Sequence, residues 1–387
     1  KWCSEWTALT APPRSRVLVS RSGNTPPQTV RAVEIGVDGV VAARAASKIF
    51  SGERQISINF RRCDSRPIVA LKLMLTTGSR RVVSATHSIV LMAPGGEILD
   101  VDLVSEVVEG AGARVLASRS ISAPFSLADR RTVHGLLISC DDGEAVSALL
   151  RDLSDETGID IALQTRSERC RAYRLAVFDM DSTLIDCEVI DELASAAGVG
   201  KKVSDITASA MRGELDFDES FRTRLALLEG LDAGAVQALA DRLPVKEGLR
   251  EMITTLKARG MTTAIFSGGF APIAERLQSD FGFDEVVANA LDVEDGKITG
   301  RVVPPIINRE YKARALRSLA RRLDISLDAC IAVGDGANDL SMMAAAGLGV
   351  AFHAKPAVRA AGPIEVTHCG LDGVCYLLGN EGEFAVD

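Results

Sequence analysis

Two aspartates stand two residues apart at the end of an apolar run in LAVFDMDSTLIDCEVIDELA, Leu175 to Ala194. Like charges at that spacing repel, so Asp179 and Asp181 are either simply solvated or gathered around a cation. Two further apolar runs end in polar chemistry. TTAIF leads into Ser267-Gly268-Gly269, and ACIAV leads into Gly334-Asp335-Gly336-Ala337-Asn338-Asp339. Between them Lys312 opens the stretch YKARALRSLARRL. Asp335 and Asp339 would add oxygens to those of Asp179 and Asp181. An all-oxygen site suits a hard dication with octahedral ligands, so Mg2+ is the expected cofactor. Such an ion could draw a phosphorylated substrate to an otherwise acidic body.

For these residues to meet, their strands must lie side by side. RLAVF, TTAIF, ACIAV and LGVAF are short runs rich in Val, Ile and Ala, separated by helical patterns such as GLREMITTLKARG. Over residues 170–387 that alternation predicts an α/β, Rossmann-like parallel sheet with helices on both faces. Ligands of such sheets bind beyond the carboxyl ends of the strands, where all three polar endings fall. Asp295-Gly296 marks a β-hairpin insert. The long segment between Asp181 and Ser267 leaves room for a small helical cap at about 188–242. Within it, Asp216 and Glu219 have capping-box spacing. On the helix that follows, Phe217, Phe221, Arg224 and Leu228 share one face. An arginine on an apolar stripe wants an anion, and a carboxylate suits its fork.

The complete set, DxDST, a Ser strand end, Lys and GDGxND in this order, matches the haloacid-dehalogenase superfamily. In finer detail DMDSTLIDCEVIDELA, ITASAMRGELDFDESFRTRLALL, FSGGF and IAVGDGANDLSMM resemble its phosphoserine phosphatase family, over residues about 172–375. The resemblance implies hydrolysis of O-phospho-L-serine to L-serine, the last step of serine biosynthesis, through an aspartyl phosphate. Asp179 would be the nucleophile. Asp181 would protonate the leaving oxygen and then take a proton from the attacking water. The Asp181 carbonyl and the Asp179 and Asp335 carboxylates would hold Mg2+, with Asp339 acting behind them or through ligand waters. Lys312 would neutralise the nucleophile and the phosphoryl oxygens. Ser267 and the Gly268 amide would donate to phosphate, glycine letting the backbone come close. Asn338 would bind phosphate or Lys312, or simply form the turn in GAND. By the same resemblance Arg224 binds the substrate carboxylate and Glu188 its ammonium, while Met211 and Phe217 shield the site. Two rival readings are a phosphatase or phosphotransferase for another phosphorylated amino acid, and an amino-acid-sensing protein with a relic phosphatase fold.

Upstream, residues 84–166 read as βαββαβ, an antiparallel α+β sheet with helices on one face. The first helix should bury Val101, Val104, Val107 and Val108, and the second Val146, Leu149, Leu150 and Leu153. In this order the segment resembles an ACT domain, a regulatory or dimerisation module, which implies an amino-acid effector or a homodimer contact. Amino-acid-binding members often carry an Asp-x-Pro-Gly type turn after the first strand. This chain has Ala93-Pro94-Gly95-Gly96 instead. Residues 1–83 are rich in Arg, Ser, Pro and Gly, and only RPIVALKLMLTT reads as a strand. The expectation there is a poorly ordered basic region or a degenerate ACT-like segment; a transit leader and a nucleic-acid arm are the other readings.

Charge and composition narrow the function classes. Residues 1–86 hold 14 Lys and Arg against 5 Asp and Glu, which leaves the remainder at −17 within a total of −8. An acidic body argues against a nucleic-acid partner. No apolar run is long enough to span a bilayer, so no membrane partner is expected. Eight cysteines without a CxxC pair suggest reduced thiols and a cytoplasmic setting.

Overall fold

The computed structural model describes residues 33–35, 56–59, 69–75, 84–95, 99–121, 131–211 and 214–379. The chain divides into two compact units, Lys1–Val83 and Ser84–Asp387. In the first, β1 (Val33–Ile35), β2 (Ile56–Asn59) and β3 (Val69–Leu75) pair antiparallel in the order β1-β3-β2. β3 falls within RPIVALKLMLTT. The expectation of poor order for the rest of this unit lies outside the described residues.

The second unit begins with β4 (His87–Pro94), β5 (Arg114–Ser120), β6 (Arg131–Ser139) and β7 (Asp160–Thr165). They form an antiparallel sheet in the order β5-β6-β4-β7. The helices Val101–Gly110 and Gly143–Thr157 start at Asp100 and Asp142, whose side chains accept from the amides of Leu103 and Ala145. Both pack on one face: Val104, Val108, Val146, Leu150 and Leu153 cover Ile89, Leu91 and Leu136. Leu149 does not join them; it is 43% exposed, because one helical step rotates it off the stripe set by Val146, Leu150 and Leu153. The other face of the sheet is not solvated. Val90, Met92, Val133 and Ala162 enter the main core, so β4 is buried on both sides.

Polar groups lock that second face to the C-terminal part of the unit. The buried Asp160 carboxylate accepts from the amides of Thr367 (2.6 Å), His368 (3.1 Å) and Cys369 (2.8 Å). Arg131 forks onto Asp372 with two bonds of 2.9 Å and reaches Glu247 at 2.7 Å. Asp372 is fully buried, so the pair is desolvated, and removing one partner strands the other charge. Arg131→Ala is therefore expected to cost about 3 kcal/mol, read as a lower urea midpoint. An unchanged midpoint would mean the pair carries no net stability.

Beyond it, β8 (Leu175–Phe178), β9 (Thr262–Phe270), β10 (Glu285–Asn289), β13 (Cys330–Gly334), β14 (Leu348–Phe352) and β15 (Ile364–Val366) make the parallel sheet. Their order is β10-β9-β8-β13-β14-β15, all neighbours parallel. The chain runs outward from β8 to β10 on one side and from β13 to β15 on the other. The β8/β13 boundary is thus the topological switch point, where a crevice opens at the carboxyl ends. Among the described residues, five helices come between β8 and β9; the first four, Val189–Ala196, Gly200–Met211, Phe217–Ala226 and Gly234–Ala240, stand at the place expected for a helical cap, and Leu249–Ala258 leads into β9. β11 (Leu291–Glu294) and β12 (Lys297–Val302) form the hairpin, turning at Asp295 (φ 49°) and Gly296 (φ 77°).

Candidate active site

The DxD pair is built by the end of β8. The Asp179 amide donates to the Val333 carbonyl at 2.9 Å, fastening this strand tip to the tip of β13. Met180, between the two aspartates, is fully buried. Met180 also closes the next turn: its carbonyl accepts from Thr183, Leu184 and Ile185. Ser182 has φ 59°, a left-handed residue other than glycine, and its hydroxyl donates to Glu188 Oε1 at 3.0 Å.

Asp179, Asp335 and Asp339 bring carboxylate oxygens within 4.8 Å of one another, all three buried. Asp335 is steadied by the Thr183 hydroxyl at 3.3 Å. Asp339 folds back onto the Gly336 amide at 3.1 Å, and a methyl on Gly334 would lie 2.5 Å from its carboxyl carbon, so that position requires glycine. Lys312 enters from the helix Arg309–Arg322, capped by Asn308, whose side chain accepts from the Tyr311 amide. Its Nζ lies 2.6 Å from Asp179 Oδ1 and 2.8 Å from Asp339 Oδ1. The Asp181 carboxylate stands outside this cluster and accepts from the Val189 amide at 3.2 Å.

Burial would by itself push the Lys312 ammonium down, but Asp179 and Asp339 outweigh it and hold the lysine above its ordinary range. One ammonium against two buried acids leaves surplus negative charge. Asp339 shows it, pushed up to about 7 by burial first and by Asp179 second. Burial, then Asp179, also raises Asp335. Asp181 is raised well above the carboxylate range by burial, then by Glu188 and Asp179. A cluster this crowded with hard anionic oxygens fits a divalent cation such as Mg2+.

Ser267 is buried, and its Oγ accepts from the Gly269 amide at 2.8 Å. Within the protein itself, the position of this pair that has no room for a side chain is Gly269. A methyl on Gly268 would meet only the Phe217 ring and the Ile307 carbonyl at 3.5 Å, an ordinary contact. On Gly269 it would lie 2.5 Å from Asp181 Oδ2 and 2.8 Å from Met180. Asn338 sits in the short turn Ala337–Asp339, its amide folded over Gly336, while Lys312 bonds to Asp179 and Asp339.

On the helix Phe217–Ala226, Asp216 accepts from the Glu219 amide at 2.7 Å. Phe221 is buried, whereas Phe217 is partly exposed and overlies Gly268. Burial lowers the Arg224 guanidinium, against the pull of Asp191, Glu188 and Asp181. Glu188 is raised by burial. Met211 ends the helix Gly200–Met211, and its side chain lies outside the described residues. Sequence reasoning passed over Lys355, whose Nζ is 3.1 Å from Asp335 Oδ2 and 3.6 Å from Glu188 Oε1. The signal was there: LGVAF is a fourth strand, and Lys355 follows its carboxyl end.

The profile of the haloacid dehalogenase-like hydrolase family matches residues 173–347. A phosphoserine phosphatase of Streptomyces coelicolor is 43% identical over 284 residues, 73% of this chain and 69% of that protein. One from Haemophilus influenzae is 46% identical over 220 residues, 57% of this chain and 70% of its own. The crystal structure of a probable phosphoserine phosphatase from Vibrio cholerae superposes with a TM-score of 0.60 at 33% identity, covering 75% of this chain and 86% of that one. With a lysine-bridged aspartate cluster at the switch point of a parallel sheet, the chain belongs to the haloacid dehalogenase-like hydrolases, within their phosphoserine phosphatase family.

Proposed function

We propose that this phosphatase hydrolyses O-phospho-L-serine to L-serine and inorganic phosphate. The observation that carries the reading is Lys312, fully buried and bridging Asp179 and Asp339 beside Asp335. Asp179 Oδ attacks phosphorus, the new O–P bond forms, and the bond from phosphorus to the serine oxygen breaks. Asp181, whose carboxyl is raised by burial, then by Glu188 and Asp179, gives a proton to that leaving oxygen. A water then attacks the phosphorus of the aspartyl phosphate, and Asp181 takes the water's proton. Asp179 returns as a carboxylate and phosphate leaves. Lys312 balances charge on Asp179 and the phosphoryl oxygens throughout. Asp179, Asp335 and the Asp181 carbonyl would hold Mg2+, supported from behind by Asp339; when bound, the ion neutralises phosphate charge. Ser267 and the amides after it line the phosphate end, with Asn338 at the rim.

Opposite charges at the other end select a zwitterion. Arg224 takes the substrate carboxylate and Glu188 its ammonium, with Phe217 closing over them. In Arg224→Ala, kcat/KM for phosphoserine should fall about 100-fold, the worth of a charged forked hydrogen bond. Hydrolysis of p-nitrophenyl phosphate should stay within about 3-fold of wild type, since that ester has no carboxylate to lose. Phosphate release across a panel of phosphorylated amino acids, with and without Mg2+, tests the substrate. Equal loss on both esters would place Arg224 in the chemistry and sink its selective role.

We further read residues 84–166 as an ACT-like module that binds an amino-acid effector or a second copy of the chain. Its support is the βαββαβ order and the locked contact through Asp160 and Arg131. A cytoplasmic setting suits the free thiols of Cys140, Cys187, Cys330, Cys369 and Cys375. Among the described residues, no helix is long and apolar enough to cross a membrane.

A further inference from the structure

Lys355 stands where the two ends of the site meet. Its backbone amide donates to the Asp335 carbonyl at 3.0 Å, so its root is fixed to the loop that carries that carboxylate. Its head is shared between Asp335 Oδ2 and Glu188 Oε1. These two acids face different tasks. Asp335 belongs to the aspartate cluster, and Glu188 to the amino-acid end. The side chain of Lys355 is 48% exposed, against none for Lys312. Lys312 has nowhere to go. The ammonium of Lys355 can swing into water on its four-carbon stem at little cost.

We propose that Lys355 is an internal cation that competes with both ligands of the site and thereby couples their binding. A divalent ion on Asp335 repels it. An ammonium arriving at Glu188 repels it too. Whichever cation comes first displaces the lysine, and the second then binds without that opposition. Metal and substrate therefore favour each other through one side chain, and the coupling is reciprocal. The Glu188 half of this proposal rests on the phosphoserine reading; the Asp335 half does not.

The experiment is Mg2+ titration by calorimetry on the full chain, wild type against Lys355→Met, with Lys355→Arg as the charge-preserving control. Removing one half-exposed charge beside the ion should tighten Mg2+ binding about 3- to 10-fold. Lys355→Arg should stay within about 2-fold of wild type, because the charge remains. In Lys355→Met at sub-saturating Mg2+, KM for phosphoserine should fall several-fold relative to KM for p-nitrophenyl phosphate, which has no ammonium; at saturating Mg2+, where the ion has already displaced the lysine, both KM values should match the wild type. Mg2+ binding that is unchanged or weaker in Lys355→Met overturns the proposal and makes the lysine a support for Asp335. A KM that rises for both esters overturns it in favour of a phosphate anchor. If the wild type releases no phosphate from phosphoserine, the substrate reading fails, while the calorimetric result still decides the Asp335 half. Thermal denaturation of both variants checks that they fold, which the exposure of Lys355 favours.

Discussion

Asp179→Asn is expected to lower phosphate release at least about 1,000-fold while the protein stays folded. The amide keeps the shape of the side chain and loses the charge. A carboxamide oxygen is a poor nucleophile toward phosphorus, and the neighbouring described acids are otherwise engaged: Asp181 stands outside the cluster, Asp335 is held by Thr183 and Lys355, and Asp339 is tied to Lys312 and the Gly336 amide. Stability should respond in the opposite direction to activity. Asp179 raises Asp335 and Asp339 by its charge, so its neutralisation relieves a crowded set of buried anions. The urea midpoint of Asp179→Asn should therefore equal or exceed that of the wild type. Phosphate release near the wild-type rate would remove the aspartyl phosphate from the scheme.

Lys312→Met should be damaging on both counts. Activity should fall about 1,000-fold, because the positive charge that faces the nucleophile is gone. Stability at neutral pH should fall by about 3 kcal/mol, because two buried carboxylates lose the ammonium that bridges them. The pH dependence has a definite sign. An acid raised in the folded state binds more protons there than when unfolded, so stability declines as pH rises from its unfolded value through its folded one. In the wild type that window runs from the ordinary aspartate range to about 7, where Asp339 titrates. Lys312 is the strongest influence holding Asp339 down, so without it the decline extends to higher pH. Urea midpoints measured with chelator should show a larger deficit for Lys312→Met at pH 8 than at pH 5. A deficit independent of pH would mean that lost packing, not lost charge, is responsible.

Much of this arrangement is local in origin, and so it was legible. Alternating apolar runs and amphipathic helices carry the parallel sheet, and residues that end those runs have to stand at its carboxyl edge. That is why Asp179, Asp181, Ser267, Asp335 and Asp339 can be picked out before any coordinates. Capping follows the same logic: Asp216 sits one residue before a helical pattern and does accept from its first turn. The hairpin turn at Asp295-Gly296 needs only two left-handed residues in a row.

Where distances between remote segments decide, the pattern was silent. Leu149 looked apolar enough to be core, yet the stripe is set by what the sheet offers. Gly268 and Gly269 are indistinguishable in FSGGF, and only the approach of Asp181 and Met180 shows which one tolerates no side chain. Nothing in RTVHGLLISC tells that Arg131 will fork onto Asp372, because the two are brought together by burying the second face of an antiparallel sheet. Lys355 belongs to the same class. Its position after LGVAF is visible in the sequence, but its importance comes from two carboxylates, Asp335 just after β13 and Glu188 at the start of the helix Val189–Ala196. Chain order and residue type thus determined which groups reach the crevice. Tertiary packing decided which of them touch, because a carboxylate's partner depends on ångströms of separation across strands that the linear order does not specify.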